Sequence, residues 1–335
     1  MYRTLLLTTV AISMAAPAFA QELNLYSSRH YDTDERLYSD FEEATGITIN
    51  RIDGNADELI ERMVAEGENS PADVMLTVDA SRITRAENAG VLQSIDSDVL
   101  NEAIPANLRD EDGKWFGFSQ RARMIFFAKD RVENPPATYT DLADPAYSDM
   151  VCIRSSTNTY NQTLLASIVT HEGEEAATEW AQGIVSNMAR DPQGGDTDQL
   201  RGLVSGECDI AVTNSYYFAR ALRSDVDGLS SGVEDIGWVF PDQDGNGTHV
   251  NISAGGVAAH APNRENAIAF LEYLASPSAQ EYFANGNDEF PVVAGVEVGE
   301  AAASLGEFKA DDVSLAEVAS NIPLAQQIFN TVGWE

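Results

Sequence analysis

Four tyrosines, Tyr31, Tyr160, Tyr216 and Tyr217, stand where a strand-like apolar run gives way to a helical pattern. Tyr31 follows the run 23–27 and precedes a helix that starts near Thr33. Tyr160 lies between the run 150–155 and a helix over 161–171. Tyr216 and Tyr217 follow the run 208–213, in the first turn of a helix over 215–224 that Asn214 or Ser215 is placed to cap. His30 stands beside Tyr31. In an open α/β sheet, ligands bind at the carboxyl ends of strands. A helix N-terminus also favours an anion by about 0.3–1 kcal/mol, so a phenol that must ionise is helped there. Neighbouring helical residues point roughly 100° apart. Tyr216 and Tyr217 therefore cannot both fill one core, but both can face one cleft.

One tyrosine in such a place is an ordinary loop residue, whereas four with an imidazole make a donor set. Phenolate is a hard anionic oxygen, and its free pKa near 10 means that only a strongly acidic cation displaces the proton. Calcium and magnesium take carboxylates, and zinc takes His and Cys. The donor types therefore select Fe(III). An aromatic cage for a small organic solute is the alternative reading.

Those residues need a frame that brings distant segments together. Strand and helix patterns alternate. The strand 23–27 leads to a helix over 34–46, with Leu37 and Phe41 spaced i, i+4 and Gly46 at its end. A strand over 47–52, a helix over 56–67 and a strand over 73–78 follow. After a central stretch, 115–130, the alternation resumes: a strand at 150–155, helices over 160–173, 173–189 and 196–206, a strand at 208–213 and the helix 215–224. "IGWVFP" and "HVNISAGGVAAHA" read as strands, and "RENAIAFLEYLAS" and "PSAQEYFANG" as helices. Alternation of this kind predicts an α/β fold with mixed, mostly parallel sheets.

Residues 1–20 read as a secretory leader: Arg3, an apolar run from Leu5 to Met14, and the cleavage site Ala18-Phe19-Ala20. No later stretch reaches about 18 consecutive apolar residues, so no membrane insertion is expected. The remaining length suits two lobes. The formal charge of −34 argues against nucleic acid or an anionic membrane as partner. Cys152 and Cys208 are the only cysteines. In an exported chain they are predicted to be bridged, two buried free thiols being the other outcome.

The chain carries no G-x-G-x-x-G, P-loop, H-E-x-x-H or G-x-S-x-G motif, and its four histidines lack zinc spacing. The turn "DQDGNG" at 242–247 starts like a calcium loop, but its twelfth position is Ser253, which cannot supply the bidentate carboxylate. An enzyme would need an open coordination position and a general base.

"LYSSRHY", "ADELIERM", "SPADVMLTVDASR", "WFGFSQRAR", "IRSSTNTYNQ", "WAQGIVSNMARDPQGGDTDQ", "NSYYFAR" and "GTHVNISAGGV" occur in that order over nearly the whole chain after the leader. In these motifs the sequence resembles the periplasmic ferric-iron-binding proteins that feed bacterial iron ABC transporters. The resemblance implies a two-lobed periplasmic binding protein fold of type II with a hinge cleft. It implies Fe(III) bound by His30, Tyr31, Tyr160, Tyr216 and Tyr217, in a monomer that serves an inner-membrane permease. The five ligands implied by this resemblance argue against an enzyme. Members of this family differ in whether the histidine binds, and in whether carbonate or another anion completes the sphere. Four phenolates on Fe(III) leave a net negative charge, so a nearby cation is expected. Arg121 is the first candidate for charge compensation or anion binding, with Arg29 and Arg123 behind it. Reduction to Fe(II) or protonation of the phenolates would weaken the site. The expected lobes are 22–122 with 249–298, and 123–248 with 299–335.

Overall fold

A computed structural model describes residues 21–29, 31 and 33–335. The leader and His30 lie outside the described residues. The elements run β1 (Glu22–Ser27), α1 (Asp34–Thr45), β2 (Thr48–Asp53), α2 (Ala56–Glu66), β3 (Val74–Thr77), α3 (Ala80–Asn88), α4 (Asp98–Ala103) and β4 (Phe116–Ala128). Next come β5 (Val151–Cys152), α5 (Thr159–Asn187), α6 (Asp196–Ser205), β6 (Ile210–Asn214), α7 (Ser215–Arg223), β7 (Ile236–Val239) and β8 (Val250–Val257). The chain closes with α8 (Arg264–Leu274), α9 (Pro277–Asn287), β9 (Phe290–Pro291), α10 (Glu300–Ala303), α11 (Leu315–Ser320) and α12 (Ile322–Val332).

Local chemistry explains most of these limits. α1 buries Leu37 and Phe41, and Gly46 ends it with φ 72°, its N–H bonded to the Glu42 carbonyl. α2 starts where the Asn55 side chain accepts from the Asp57 N–H at 2.9 Å. α5 is two helices joined at Gly173, whose φ of 87° and ψ of 174° are not helical. That is the break the sequence predicts between its two helices.

The strands lie in the order β2-β1-β3-β8-β4-β6-β5, with β7 and β9 also paired to β4. The sheet is mixed. Parallel pairs occur where crossover helices return the chain: β1 with β2, β1 with β3, and β5 with β6. The long strands β4 and β8 run antiparallel to their neighbours. β4 changes partner midway. Phe116 to Ala122 pair with β8, and Arg123 to Phe127 pair with β6.

The core divides in the same way. One apolar cluster gathers Tyr26, Phe41, Trp115, Phe118, Phe270 and Phe283 around the β1–β3 end of the sheet. Leu315 of the tail joins it. Two further clusters lie beyond the partner change. One is built on Trp180, Ile184, Phe329 and Trp334, and the other on Phe126, Leu203, Phe218 and Leu229. The fold is two-lobed α/β. Cys152 and Cys208 are bonded, with their Cα atoms 5.8 Å apart, inside the third cluster. α6 passes so close that a Cβ at Gly202 would stand 2.6 Å from the Cys208 sulfur.

Three expectations are adjusted. The sheet is not mostly parallel: among the described residues five strand pairings are antiparallel and three parallel, because β4 and β8 run against their neighbours. The strand expected over 150–155 is only Val151–Cys152. Beyond it, the Arg154 carbonyl accepts from Asn161 Nδ2 at 2.6 Å and Trp334 Nε1 at 3.1 Å, so side chains take a bond that a ladder would use. Asn214 does stand at the start of α7, but its side chain makes no cap bond. Its Oδ1 accepts from Arg123 instead.

Candidate metal centre

The four junction tyrosines come together. Tyr31 sits between β1 and α1, where its carbonyl accepts from the Asp34 N–H at 3.0 Å. Tyr160 is in the first turn of α5, its N–H donating to Asn158 Oδ1 at 3.2 Å. Tyr216 and Tyr217 open α7 at the carboxyl end of β6. The Tyr160 and Tyr216 hydroxyls are 3.5 Å apart. The Tyr216 and Tyr217 rings lie 4.1 Å apart between centroids, and the Tyr31 ring meets Tyr216 edge-on at 6.3 Å. Three segments far apart in sequence thus present phenols to one point.

Burial sets the chemistry of these phenols. It pushes the Tyr31 hydroxyl well above the ordinary tyrosine value, with Glu289 adding to the rise and Arg121 opposing it. Tyr216 is raised by burial and then by Tyr160, Tyr31 and Tyr217 around it. Tyr217 is raised by burial, Tyr160 and Asp196. The neighbouring phenols thus disfavour ionisation of Tyr31, Tyr216 and Tyr217, which is the electrostatics of a donor cluster that needs a cation before it gives up protons.

The three candidate arginines are all buried and all paired. Arg29 donates from Nε to Asp34 Oδ2 at 2.7 Å, contacts Ser253 Oγ, and stands 4.7 Å from the centroid of the Tyr31 ring. Arg121 donates to Glu289 Oε1 at 2.8 Å, to Ser253 Oγ at 3.1 Å, and to the Val78 and Ile252 carbonyls. Burial opposes the charge on Arg121, but Glu289 and then the surrounding tyrosines outweigh it and hold its pKa above the usual arginine value. Arg123 donates to Asp196 Oδ2 at 2.8 Å, Asn161 Oδ1 at 2.9 Å and Asn214 Oδ1 at 3.2 Å. It stands 5.8 Å from the centroid of the Tyr160 ring.

Sequence reasoning did not single out Asp34, Asp196, Ser253 or Glu289, although each fixes an arginine beside the phenols. Glu289 lies well over a hundred residues along the chain from Arg121, so no local spacing signals the pair. Arg154 was also missed. It stands 5.6 Å from the centroid of the Tyr160 ring and 3.8 Å from Asp196.

Elsewhere, His171 pairs with Asp311 at 2.7 Å. His249 is buried, and burial, Arg123 and His171 push its pKa down to about 3, so it is neutral. Among the described residues, no three His, Cys, Asp or Glu side chains converge as a metal site. Residues 242–247 form a turn between β7 and β8, not a helix–loop–helix.

Residues 69–310 match the family described as bacterial extracellular solute-binding protein. Iron uptake protein A1 of Synechocystis is 49% identical over 320 residues, covering 95% of this chain and 89% of the relative. A Trichodesmium protein, solved in complex with iron and citrate ligands, superposes with a TM-score of 0.90 at 48% identity. The match covers 94% of this chain and all of that one. The ferric binding protein of Campylobacter jejuni gives 0.88 at 39% identity, over 93% of this chain and all of that one. No helix among the described residues is long and apolar enough to cross a membrane.

Proposed function

Because the chain belongs to the bacterial extracellular solute-binding proteins, we propose that it captures ferric iron in the periplasm and passes it to an inner-membrane ABC permease. The observation that carries this reading is the convergence of Tyr31, Tyr160, Tyr216 and Tyr217 at one buried point. Tyr216 lies against each of the other three. The relatives named for iron uptake, and the relative solved with iron, support the same cargo.

Tyr160, Tyr216 and Tyr217 bind from one lobe. Tyr31, with His30 beside it, binds from the other, so that the metal draws the lobes together. The lobes are 22–122 with 249–298, and 123–248 with 299–335; the partner change of β4 at Ala122 and Arg123 supports the first limit. The chain acts as a monomer and catalyses nothing. Arg121 and Arg29 compensate the phenolate charge in part, since both also share Glu289. Carbonate or a similar anion is not required when four phenolates bind.

Iron must displace protons from phenols that burial holds in the neutral form. Affinity therefore falls as pH falls, by about one log unit per pH unit for each phenol displaced. Proton release on adding ferric nitrilotriacetate to weakly buffered protein reads this directly, and binding without release would contradict it. In the metal-free protein the raised pKa values act in the other direction. Their stability contribution is present below the ordinary value of about 10 and lost as pH rises above it. Reduction to Fe(II) lowers the charge attraction and favours release.

The test is to add one equivalent of ferric citrate, desalt, and record the visible spectrum beside an iron assay. A phenolate-to-iron charge-transfer band with one bound iron is expected. Colourless, iron-free protein would point instead to an organic solute held by the rings.

A further inference from the structure

Three consecutive buried polar residues, Asn287, Asp288 and Glu289, join α9 to β9. Each reaches a different element of the tyrosine cluster. Asn287 Nδ2 donates to Asp34 Oδ1 at 3.0 Å, and its Oδ1 accepts from the Thr33 hydroxyl, both at the turn that follows Tyr31. Glu289 accepts from Arg121 at 2.8 Å and from Ser119 Oγ at 2.7 Å, and lies 3.6 Å from Arg29. Asp288 faces the other way. It accepts from Arg223 Nε at 2.5 Å and Nη2 at 2.9 Å, and pairs with Arg220 at 3.7 Å. Arg220 and Arg223 lie on α7, one and two turns beyond Tyr216, and the Arg220 guanidinium stands 5.7 Å from the centroid of the Tyr216 ring.

A surface ion pair does not need such placement. Asp288 is 2% exposed and sits at φ 61°, a left-handed conformation that costs a non-glycine residue free energy. The backbone turn that aims its carboxylate at α7 is the same turn that leaves Asn287 and Glu289 facing the Tyr31 side.

Building on the ferric reading above, we propose that Asn287, Asp288 and Glu289 form a clasp that positions the two tyrosine-bearing walls relative to each other. Asp288 is its positioning residue on the α7 side. It touches no metal and acts through Arg220 and Arg223 on the Tyr216–Tyr217 turn. Hydrogen-bonded partners behind ligands usually matter by about 10–100-fold in metal affinity.

The experiment uses Asp288→Gly, which removes the carboxylate and leaves the left-handed backbone unstrained, beside Asp288→Asn, which keeps an acceptor. The double variant Arg220→Gln/Arg223→Gln removes the same contacts from half-exposed positions, and carries the test if the glycine variant does not fold. Ferric-loaded proteins are compared by the maximum of the visible band and by the rate of iron loss to excess citrate. A displaced band and roughly 10–100-fold faster loss, partly restored in Asp288→Asn, are expected. An unchanged band and unchanged rate, with only a lower melting temperature, would overturn the clasp and leave the ferric site standing. A wild-type protein with no band and no iron would overturn the ferric reading, and the clasp with it.

Discussion

The two walls of the tyrosine cluster are built on opposite plans. The wall made by α5, β6 and α7 supplies three phenols already in contact, with Tyr160 and Tyr216 hydroxyls 3.5 Å apart and the Tyr216 and Tyr217 rings 4.1 Å apart between centroids. The wall made by the β1–α1 turn, β4 and β8 supplies one phenol, Tyr31, set among Arg29, Arg121, Asp34 and Glu289. One side concentrates donors, with Arg123 and Asp196 paired behind them; the other sets its single phenol among two balanced pairs, Arg29–Asp34 and Arg121–Glu289. On the proposed reading, a cation would start binding on the first wall and reach the second as the lobes close. The difference teaches that donor count and charge compensation need not come from the same segment. On the same reading, Arg121 on β4 and Arg29 just after β1 would carry the compensation.

Removing donors from the crowded wall should do the most damage. Tyr216→Phe/Tyr217→Phe keeps the rings and their packing but leaves two phenols, and should abolish the charge-transfer band and retained iron after desalting. A double variant that still holds one iron would show that the wall is not the primary site.

Removing charge from the other wall comes next. Arg121→Met leaves Glu289 buried with only Arg29 at 3.6 Å to balance it. Breaking a buried pair from one side costs about 3–5 kcal/mol, to be read by denaturant unfolding of metal-free protein. A change under about 1 kcal/mol would mean that Arg29 and Ser119 suffice to hold Glu289.

The disulfide tests whether the crowded wall depends on its lobe being held. Cys152 and Cys208 lie 56 residues apart, and the chain-entropy account gives roughly 4 kcal/mol for such a loop. Cys152→Ala/Cys208→Ala should lose about that much stability while the band of any folded, loaded protein stays in place. A displaced band would tie the bridge to ligand geometry.

The smallest effect should come from Tyr31→Phe. Three phenols remain, so the protein should still colour, with iron held about 10–100-fold less tightly and lost faster to citrate. The range is taken by analogy with that for ligand-supporting groups. Loss as complete as in the Tyr216 and Tyr217 pair would erase the distinction between the walls.

Much of this frame is legible in the sequence. β1, α1, β2, α2 and β3 follow from apolar spacing and end signals such as Gly46, and the four tyrosines follow from their shared strand-to-helix position. What escapes is what depends on long-range contact. α3 turns Ala80, Ile83 and Ala86 inward, and alanines give a weak apolar signal. The tail helices α11 and α12 pack on α5 from the other end of the chain. The arginines are visible as residues, but Asp196 and Glu289 are not visible as their partners, because only the folded chain brings them together; Asp34 lies five residues from Arg29, yet nothing in the local pattern marks the pair.

The most direct test of the central claim is an anomalous difference map at the iron edge from crystals of ferric-loaded protein. The account predicts one peak in contact with the hydroxyls of Tyr160, Tyr216 and Tyr217 on one side and Tyr31 on the other. Density for an organic molecule among the rings, with no iron peak, would contradict it.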